Sequence, residues 1–251
     1  EYYTWRSRCQ GQKWVEQGRK KESGEFDMAG NLVKGCVERG IPVYARIIDK
    51  WDDIGSNIKY LSTVERALGG DFPFLDRVLK SQGYIILEDN VGVHNETYTT
   101  NYDRGKSLKD LIESKDVEIG PNVFIGRGVR IKKGAKIRYS SIEKYANIGE
   151  NSTVSHSVIF PYCIIEEGAS IERSILGLQV HVDSSESQPT KIHTNSFLGP
   201  EVSVPKGYNL SSVTVFPAYQ FKPQAELVKN QILKPGQESI QKVVNMYTNT
   251  G

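Results

Sequence analysis

The stretch that decides the fold runs from Ile119 to Val182 and reads IGPNVFIGRGVRIKKGAKIRYSSIEKYANIGENSTVSHSVIFPYCIIEEGASIERSILGLQVHV. An aliphatic residue stands at every sixth position, and at every fifth position in a few steps. The series is Ile119, Ile125, Ile131, Ile137, Ile142, Ile148, Val154, Ile159, Ile165, Ile171, Leu176 and Val182. Neither an α-helix nor a simple alternating strand spaces its apolar residues in this way. The period is typical of a parallel β-helix, in which short strands stack coil upon coil.

Three steps of this repeat make one coil of about 17 or 18 residues, so the stretch holds about four coils. Before each next aliphatic residue lies a second position that we expect to point inward. It usually holds a small residue, which suits a tight corner. It holds Val123, Val129, Ala135, Ser141, Ala146, Ser152, Cys163 and Ala169. We therefore predict a mainly β protein whose core is a triangular prism of stacked coils.

The composition excludes several classes of protein. The chain of 251 residues is 38% hydrophobic and 25% charged, with a net charge of +2. No strong field would draw it to nucleic acid or to an anionic membrane. No run approaches the roughly 20 apolar residues of a membrane span. Three scattered cysteines are too few for a disulfide framework or a zinc site, so we expect a cytoplasmic location without nucleic-acid or membrane partners.

The segment before the repeat predicts a small α/β layer. Residues 1–25 are charged and irregular, and we interpret them as a solvated segment. Residues 26–39 have helical apolar spacing and end before Gly40, while residues 41–48 are β-branched and aromatic, as in a strand. Ser56 is placed to cap a further helix that ends at Gly69 and Gly70.

The remaining boundaries follow from the same pattern. We assign residues 1–70 to the α/β layer, 71–116 to a partly helical connector, 117–222 to the β-helix and 223–251 to a C-terminal helix and tail. A polar loop at 183–190 interrupts the repeat, and a weaker coil is expected to resume after it. The helix is predicted over residues 223–233, where it would cover the open end of the β-helix.

Two features resemble one family of enzymes. The repeat resembles the left-handed hexapeptide β-helix of acyltransferases and sugar nucleotidyltransferases, whose handedness is an exception among parallel strand crossovers. Upstream, Trp51-Asp-Asp-Ile-Gly-Ser56 follows the predicted strand and is similar to the end of the catalytic domain of a sugar-1-phosphate nucleotidyltransferase (nucleotide-sugar pyrophosphorylase). The resemblance implies that residues 1–70 are a remnant of that domain.

This resemblance implies a reaction and a metal. Family members join a nucleoside triphosphate to a sugar 1-phosphate, release pyrophosphate and use Mg²⁺, which an aspartate matching Asp53 helps to bind. Their glycine-rich nucleotide-binding loop has no counterpart in this sequence. We therefore expect the C-terminal part of such an enzyme, itself inactive, which self-associates through its β-helix or transmits regulation.

Two alternatives remain open. A hexapeptide acyltransferase would lay coenzyme A along the coil and use a histidine as general base. His181, which precedes the polar Asp183-Ser-Ser loop, is the candidate; His156 lies in an ordinary turn, His193 in the degenerate region and His94 outside the repeat. Ser-led five-residue steps favour the nucleotidyltransferase type instead. The other alternative is a purely structural oligomerisation module.

Overall fold

The computed structural model describes residues 28–48, 50–222, 227–235 and 241–242. They belong to two compact units, residues 1–51 and residues 52–251. The prediction for residues 1–25 lies outside the described residues. Within the described ranges, no helix combines the length and the apolar character that crossing a bilayer requires.

The first unit holds a short helical segment followed by extended chain. A π-helical turn at Met28–Val33 continues as α1 (Lys34–Glu38), and Gly40 follows with a left-handed φ of 66°. The predicted helix is thus confirmed where it is described. The strand predicted over residues 41–48 is wrong: these residues form no strand, and Tyr44 and Ile47 are 91% and 94% exposed. In the described part of the chain no strand pairs with this segment, and a lone strand leaves its backbone groups without partners.

The second unit begins with two helices. In α2 (Asn57–Leu68), the N-cap Ser56 accepts the Lys59 N–H through its hydroxyl at 3.3 Å, and Gly69 and Gly70 follow the helix as predicted. The helix α3 (Phe74–Ser81) confirms helical structure in the connector. The sequence assigned residues 57–68 to the α/β layer, whereas the structure places α2 in the same compact unit as the β-helix, beside its strands.

The β-helix also begins earlier than predicted. The strands β1 (Tyr84–Leu87) and β2 (Val91–His94) form an antiparallel hairpin, and β2 pairs in parallel with Val123–Ile125 of the repeat. Two short helices, α4 (Asn95–Thr99) and α5 (Leu108–Glu113), lie between them in sequence. Leu108 and Leu111 of α5 are buried in the core cluster. Part of the predicted connector therefore belongs to the first coil.

Three sheets form the faces of the β-helix. Sheet one contains β1, β2, β4 (Val123–Ile125), β7 (Ser140–Ile142), β10 (Val158–Ile159), β13 (Ile175–Leu176), β16 (Phe197–Leu198), β19 (Thr214–Val215), β21 (Gln231–Leu233) and β22 (Gln241–Lys242). Sheet two contains β5 (Arg130–Ile131), β8 (Asn147–Ile148), β11 (Ile164–Ile165), β14 (His181–Val182) and β17 (Ser203–Val204). Sheet three contains β3 (Glu118–Ile119), β6 (Lys136–Arg138), β9 (Thr153–Ser155), β12 (Ser170–Glu172), β15 (Lys191–His193), β18 (Asn209–Ser211) and β20 (Leu227–Lys229).

Successive coils pair in parallel and in register, as in Ile142, Ile159 and Leu176 of sheet one. The predicted aliphatic series fills the interior, and each member from Ile125 to Val182 is at most 1% exposed. The parallel β-helix is therefore confirmed, while its left-handed winding stays a prediction. One predicted inward position is wrong, because Ser140 is fully buried and Ser141 lies one residue further, in an outward position.

The corners of the coils share one backbone device. Each column of corners holds residues with left-handed φ, many of them not glycine: Asn122, Tyr139, His156, Arg173, Asn195 and Ser212 in one column, and Tyr145, Tyr162, Gln179, Glu201 and Ala218 in another. Apart from Ala218, the N–H groups of these residues donate to the coil before, as His156 does to the carbonyl of Arg138 at 3.1 Å. This conformation costs a residue with a side chain about 1–2 kcal/mol, which the stacked hydrogen bonds offset.

The buried serines Ser140, Ser157 and Ser174 stand at five-residue corners, and with Ser196 in the next coil we call them the serine ladder. In a six-residue step, the backbone N–H of the small inward residue donates to a carbonyl of the same turn, as Ala146 does to the Glu143 carbonyl at 3.3 Å. A five-residue step lacks that turn residue, and the N–H of Ser157 donates instead to the hydroxyl of Ser140 at 3.1 Å. Ser174 donates to Ser157 in the same way at 3.1 Å. These serines, with Ser196, are at most 1% exposed.

The coils continue beyond Val182 without weakening. Ile192, Leu198, Val204, Leu210 and Val215 are at most 3% exposed, so the predicted degenerate coil is a full part of the core. The loop at 183–190 projects from one corner. At its base, the hydroxyl of Thr190 donates to the Asp183 carbonyl at 2.7 Å and accepts the Gly207 N–H at 2.9 Å.

The helix predicted over residues 223–233 is wrong for its described part. Residues 227–233 form the strands β20 and β21, which pair in parallel with β18 and β19. Val228 and Leu233 are each 3% exposed and extend the stack above Leu210 and Val215. Burial against an existing coil outweighs the helical apolar spacing of this segment.

Adjacent isoleucines on β11 test the inward and outward assignment. Ile165 is 1% exposed and Ile164 is 39% exposed. We expect Ile165→Ala to lower the free energy of unfolding by about 2–5 kcal/mol, because it leaves a cavity in the stack. Ile164→Ala is the matched control and should cost less than about 1 kcal/mol. Urea denaturation at a low, equal protein concentration measures both, and equal losses would contradict the assignment.

The serine ladder predicts a second stability difference. Ser157→Ala removes the acceptor of the Ser174 N–H and leaves that buried group unpaired, so we expect a loss of about 1–3 kcal/mol. Ser170→Ala on the outward side of β12 should cost little, because no hydrogen bond in the described structure uses its hydroxyl. A Ser157→Ala protein as stable as wild type would refute the role given to the ladder.

Candidate functional site

Asp53 lies in the loop before α2 and is held within its own chain. Its Oδ1 accepts the Gly55 N–H at 2.7 Å, and its Oδ2 is bound by the ammonium group of Lys59. The Lys59 contact first, and the Gly55 amide second, hold the pKa of this carboxyl below its ordinary value. The observed role of Asp53 is to order the turn that leads into α2.

The described carboxylates do not form a magnesium site by themselves. Next to Asp53, the Oδ2 of Asp52 lies 2.8 Å from Nη1 of Arg66, so each carboxylate already has a cation. Mg²⁺ prefers an octahedral set of oxygen ligands. In the described ranges, no three or more His, Cys, Asp or Glu residues are grouped to hold a metal ion. Metal binding by Asp53 in a longer enzyme stays a prediction.

His181 projects outward from β14 beside a polar groove. Its Nε2 lies 3.3 Å from Oε1 of Glu166, and both side chains are 43% exposed. A histidine oriented by a carboxylate is suited to act as a general base. The neighbouring groove has a volume of about 410 Å³ and is lined by Lys132, Lys206, Glu150, Glu166, Glu167 and Asp183, with Ser184 and Ser185. Its excess of carboxylates disfavours an anionic ligand such as coenzyme A, and the catalytic role of His181 stays a prediction.

The other histidines lie in separate surroundings. His156 contacts Oε1 of Glu65 at 3.0 Å through Nδ1 and stacks on Tyr139 with ring centroids 4.6 Å apart. His193 contacts Thr194 at 2.9 Å and Asn209 at 2.7 Å, and His94 accepts the Glu96 N–H at 3.3 Å. His156 thus joins α2 to the β-helix, and no pair of histidines forms a shared site in the described structure.

Sequence reasoning missed a groove between α2, α3 and the first coils of sheet one. We call it the helix groove. It has a volume of about 270 Å³, and its apolar lining includes Val64, Leu68, Leu75, Leu79, Ile86 and Phe124. Its polar lining includes Ser141 and Glu143. The arrangement suits a ligand that combines an apolar body with a cationic or hydrogen-bond-donating end.

Glu143 is a partly buried carboxylate of the helix groove, whose lining also includes Asp76. It accepts a hydrogen bond from the Ser141 hydroxyl at 3.0 Å, and burial raises the pKa of its carboxyl. Burial, and then the charge of Glu143, raise the pKa of Tyr60 and of Tyr84 as well. In sequence, Glu143 reads as an ordinary solvated turn residue, because the helices that cover it come from a distant part of the chain. The outward aromatic residues Phe124 and Phe160 were the available signal.

Comparison with known proteins finds a family match for part of the chain. Residues 112–188 match the model of a family described as the GMPPB C-terminal domain. No curated protein matches the chain. Among solved structures, the acetyltransferase domain of PglB from Neisseria gonorrhoeae FA1090 aligns at 15% identity with a TM-score of 0.27. That alignment covers 47% of this chain and 53% of the other, so it spans about half the length of that protein chain.

Glu143 makes the stability of this region depend on pH. Because its pKa is raised from the ordinary 4.5, the folded chain holds this proton more tightly than the unfolded chain. The ionised form therefore costs stability as the pH rises above about 4.5. We expect Glu143→Gln to raise the free energy of unfolding at pH 7 and to have little effect below about pH 4. Urea denaturation across this range measures it, with exposed Glu172→Gln as control; no gain at pH 7 would contradict the assignment.

Proposed function

Since residues 112–188 form a β-helix related to that of sugar nucleotidyltransferases, we propose that this chain is the C-terminal portion of a sugar-1-phosphate nucleotidyltransferase. The intact enzyme would join a nucleoside triphosphate to a sugar 1-phosphate in the cytoplasm and release pyrophosphate with Mg²⁺. The chain itself would be inactive and would serve oligomerisation or regulation. The family match, which lies on the buried repeat, is the observation that carries this proposal.

The first unit supports the proposal independently. Large apolar residues between positions 41 and 51 are exposed, among them Tyr44 at 91%, Ile47 at 94% and Trp51 at 70%. At about 25 cal/mol per Å² of apolar surface, leaving them in water forgoes a substantial stabilisation. Such a segment suits a sheet completed by further strands of an α/β domain.

The role proposed for this chain is structural and includes no chemical step. Its described carboxylates do not by themselves form a magnesium site, so we assign no step of the transfer to them. The stacked coils supply a stiff body, because every coil is hydrogen-bonded to the next along its faces. If such stiff prisms associate in a closed symmetric oligomer, they would hold several catalytic domains at a fixed spacing.

Acyl transfer is the second candidate, favoured by the contact between His181 and Glu166 alone. The acidic groove beside the pair opposes it, because coenzyme A carries several phosphate charges. A purely structural module differs from the main proposal only in the absence of an attached catalytic domain.

Two assays on the 251-residue chain test the absence of activity. With nucleoside triphosphates, sugar 1-phosphates and Mg²⁺, we expect no pyrophosphate above a blank without protein, since the nucleotide-binding loop is absent. Pyrophosphate release would overturn the inactive assignment. With acetyl-coenzyme A and sugar acceptors, we expect no turnover; turnover that is lost in His181→Ala but kept in His193→Ala would establish the acyltransferase instead.

The decisive test of the proposal is the coding sequence upstream of Glu1. We expect it to encode a glycine-rich nucleotide-binding loop with a basic residue. The longer protein should then release pyrophosphate under the conditions in which residues 1–251 do not. An unrelated domain, or a stop codon directly before Glu1, would overturn the assignment to a nucleotidyltransferase.

A further inference from the structure

Around Glu143, in the helix groove, the fold gathers aromatic rings from separate segments of the chain. Glu143 directly follows β7, and Phe160 occupies the same position one coil later, because β7 and β10 pair in register. Phe124 points outward one coil earlier, where it pairs with Ser141. Glu143 therefore lies between the coil of Phe124 and the coil of Phe160, each about 4.8 Å away along the stack.

Each of these two phenylalanines is joined by a tyrosine from another element. Tyr84 of β1 stacks on Phe124 with ring centroids 4.9 Å apart, and Tyr60 of α2 lies beside Phe160 with centroids 6.3 Å apart. Both tyrosines are close enough to Glu143 for its charge to raise the pKa of their hydroxyls, after the larger effect of burial. One carboxylate is thus flanked along the stack by two pairs of rings.

Glu143 has no cationic partner in the part of the chain that the structure describes. Its hydrogen bond comes from the neutral hydroxyl of Ser141 at 3.0 Å. The described lysines, arginines and histidines form no ion pair with it, and the adjacent Lys144 is exposed to solvent. Charges that are withdrawn from water are normally paired. A cation that enters the groove would therefore make an interaction that the folded chain leaves open.

The lining of the groove favours an organic cation over an anion or a metal ion. Its described ionisable residues, Glu143 and Asp76, are both acidic, and the faces of aromatic rings attract cations. A metal ion would need further oxygen ligands, and the described residues hold no group of three or more metal-binding side chains. The rest of the lining is mainly aliphatic, as at Leu68 and Leu75, and Gly92 leaves its floor without a side chain. An apolar body with one ammonium group fits both parts of this lining.

We propose that the helix groove binds an alkylamine or arylalkylamine, with the ammonium group at Glu143 and the apolar body among the leucines of α2 and α3. The ammonium group would donate a charge-assisted hydrogen bond to the carboxylate. The flanking rings would add cation–π attraction to the same charge. The volume of about 270 Å³ admits one small molecule of this kind. This inference goes beyond the proposed function and does not depend on the nucleotidyltransferase assignment.

Three probes that share one apolar body test the charge preference. Phenylbutylamine, phenylbutanol and phenylbutanoate carry a cationic, a neutral and an anionic group at the end of the chain opposite the ring. Isothermal titration calorimetry on the 251-residue chain, at about pH 7 where the amine is charged, should give a Kd below about 1 mM for the amine. The alcohol should bind at least about tenfold more weakly, and the anion more weakly still. An amine that does not bind, or binds no better than the alcohol or the anion, would overturn the proposal.

A charge-neutral variant locates the ammonium group. Glu143→Gln keeps the shape of the groove, so the amine should lose at least about tenfold in affinity while the alcohol stays within about threefold. Glu172→Gln, at an exposed position of β12 on sheet three, is the matched control and should leave amine binding unchanged. Amine binding that survives Glu143→Gln, or that Glu172→Gln weakens equally, would overturn the site. Circular dichroism of each variant shows whether it is folded.

A second pair of variants tests the rings. Phe124→Leu should weaken the amine at least about threefold more than the alcohol, because only the amine loses a cation–π contact. Phe197→Leu is the matched control, at the equivalent outward position of β16 on the same sheet, and should change neither affinity. An equal loss for both probes in Phe124→Leu would contradict the position of the ammonium group beside the rings.

Discussion

Hydrogen bonding between coils at the corners is the interaction on which the rest of this structure depends. At most corners the coil turns through a residue in a left-handed conformation, and that conformation is unfavourable for most side chains. The corner N–H repays the cost by donating to the coil beneath, as Tyr162 does to the Lys144 carbonyl at 3.1 Å. The corner columns are kept in line by this contact, and the outward columns on the strands by parallel pairing.

The sequence predicts the interior of the β-helix well, because burial imposes a period that survives in the order of residues. Ile125 through Val182 could be assigned to the core without the structure. Contacts between segments that are distant in sequence leave no such period in the order of residues. Residues 41–48 have strand composition but no neighbouring strand in the described structure, and Val228 and Leu233 join a coil although their spacing also suits a helix.

For the candidate sites, too, the sequence predicts some residues and misses those whose surroundings come from distant parts of the chain. Asp53 and His181 were chosen by residue type and context, and the structure shows what each contacts within its own chain: Lys59 and Gly55 for Asp53, and Glu166 for His181. The helix groove was missed because Glu143 acquires its buried setting from α2 and α3, which precede it by more than sixty residues. Contacts of that kind are set by tertiary packing and cannot be deduced from local pattern.

The loop at 183–190 has a consequence for how such a chain can change over time. It lengthens one corner, yet Ile192 resumes the core in register with Ile171 because Ser184 and Thr190 close the base of the loop with their hydroxyls. An insertion at this corner therefore lengthens the chain without changing how the coils stack. New segments can enter at a corner and acquire their own surface chemistry while the prism beneath them keeps its dimensions.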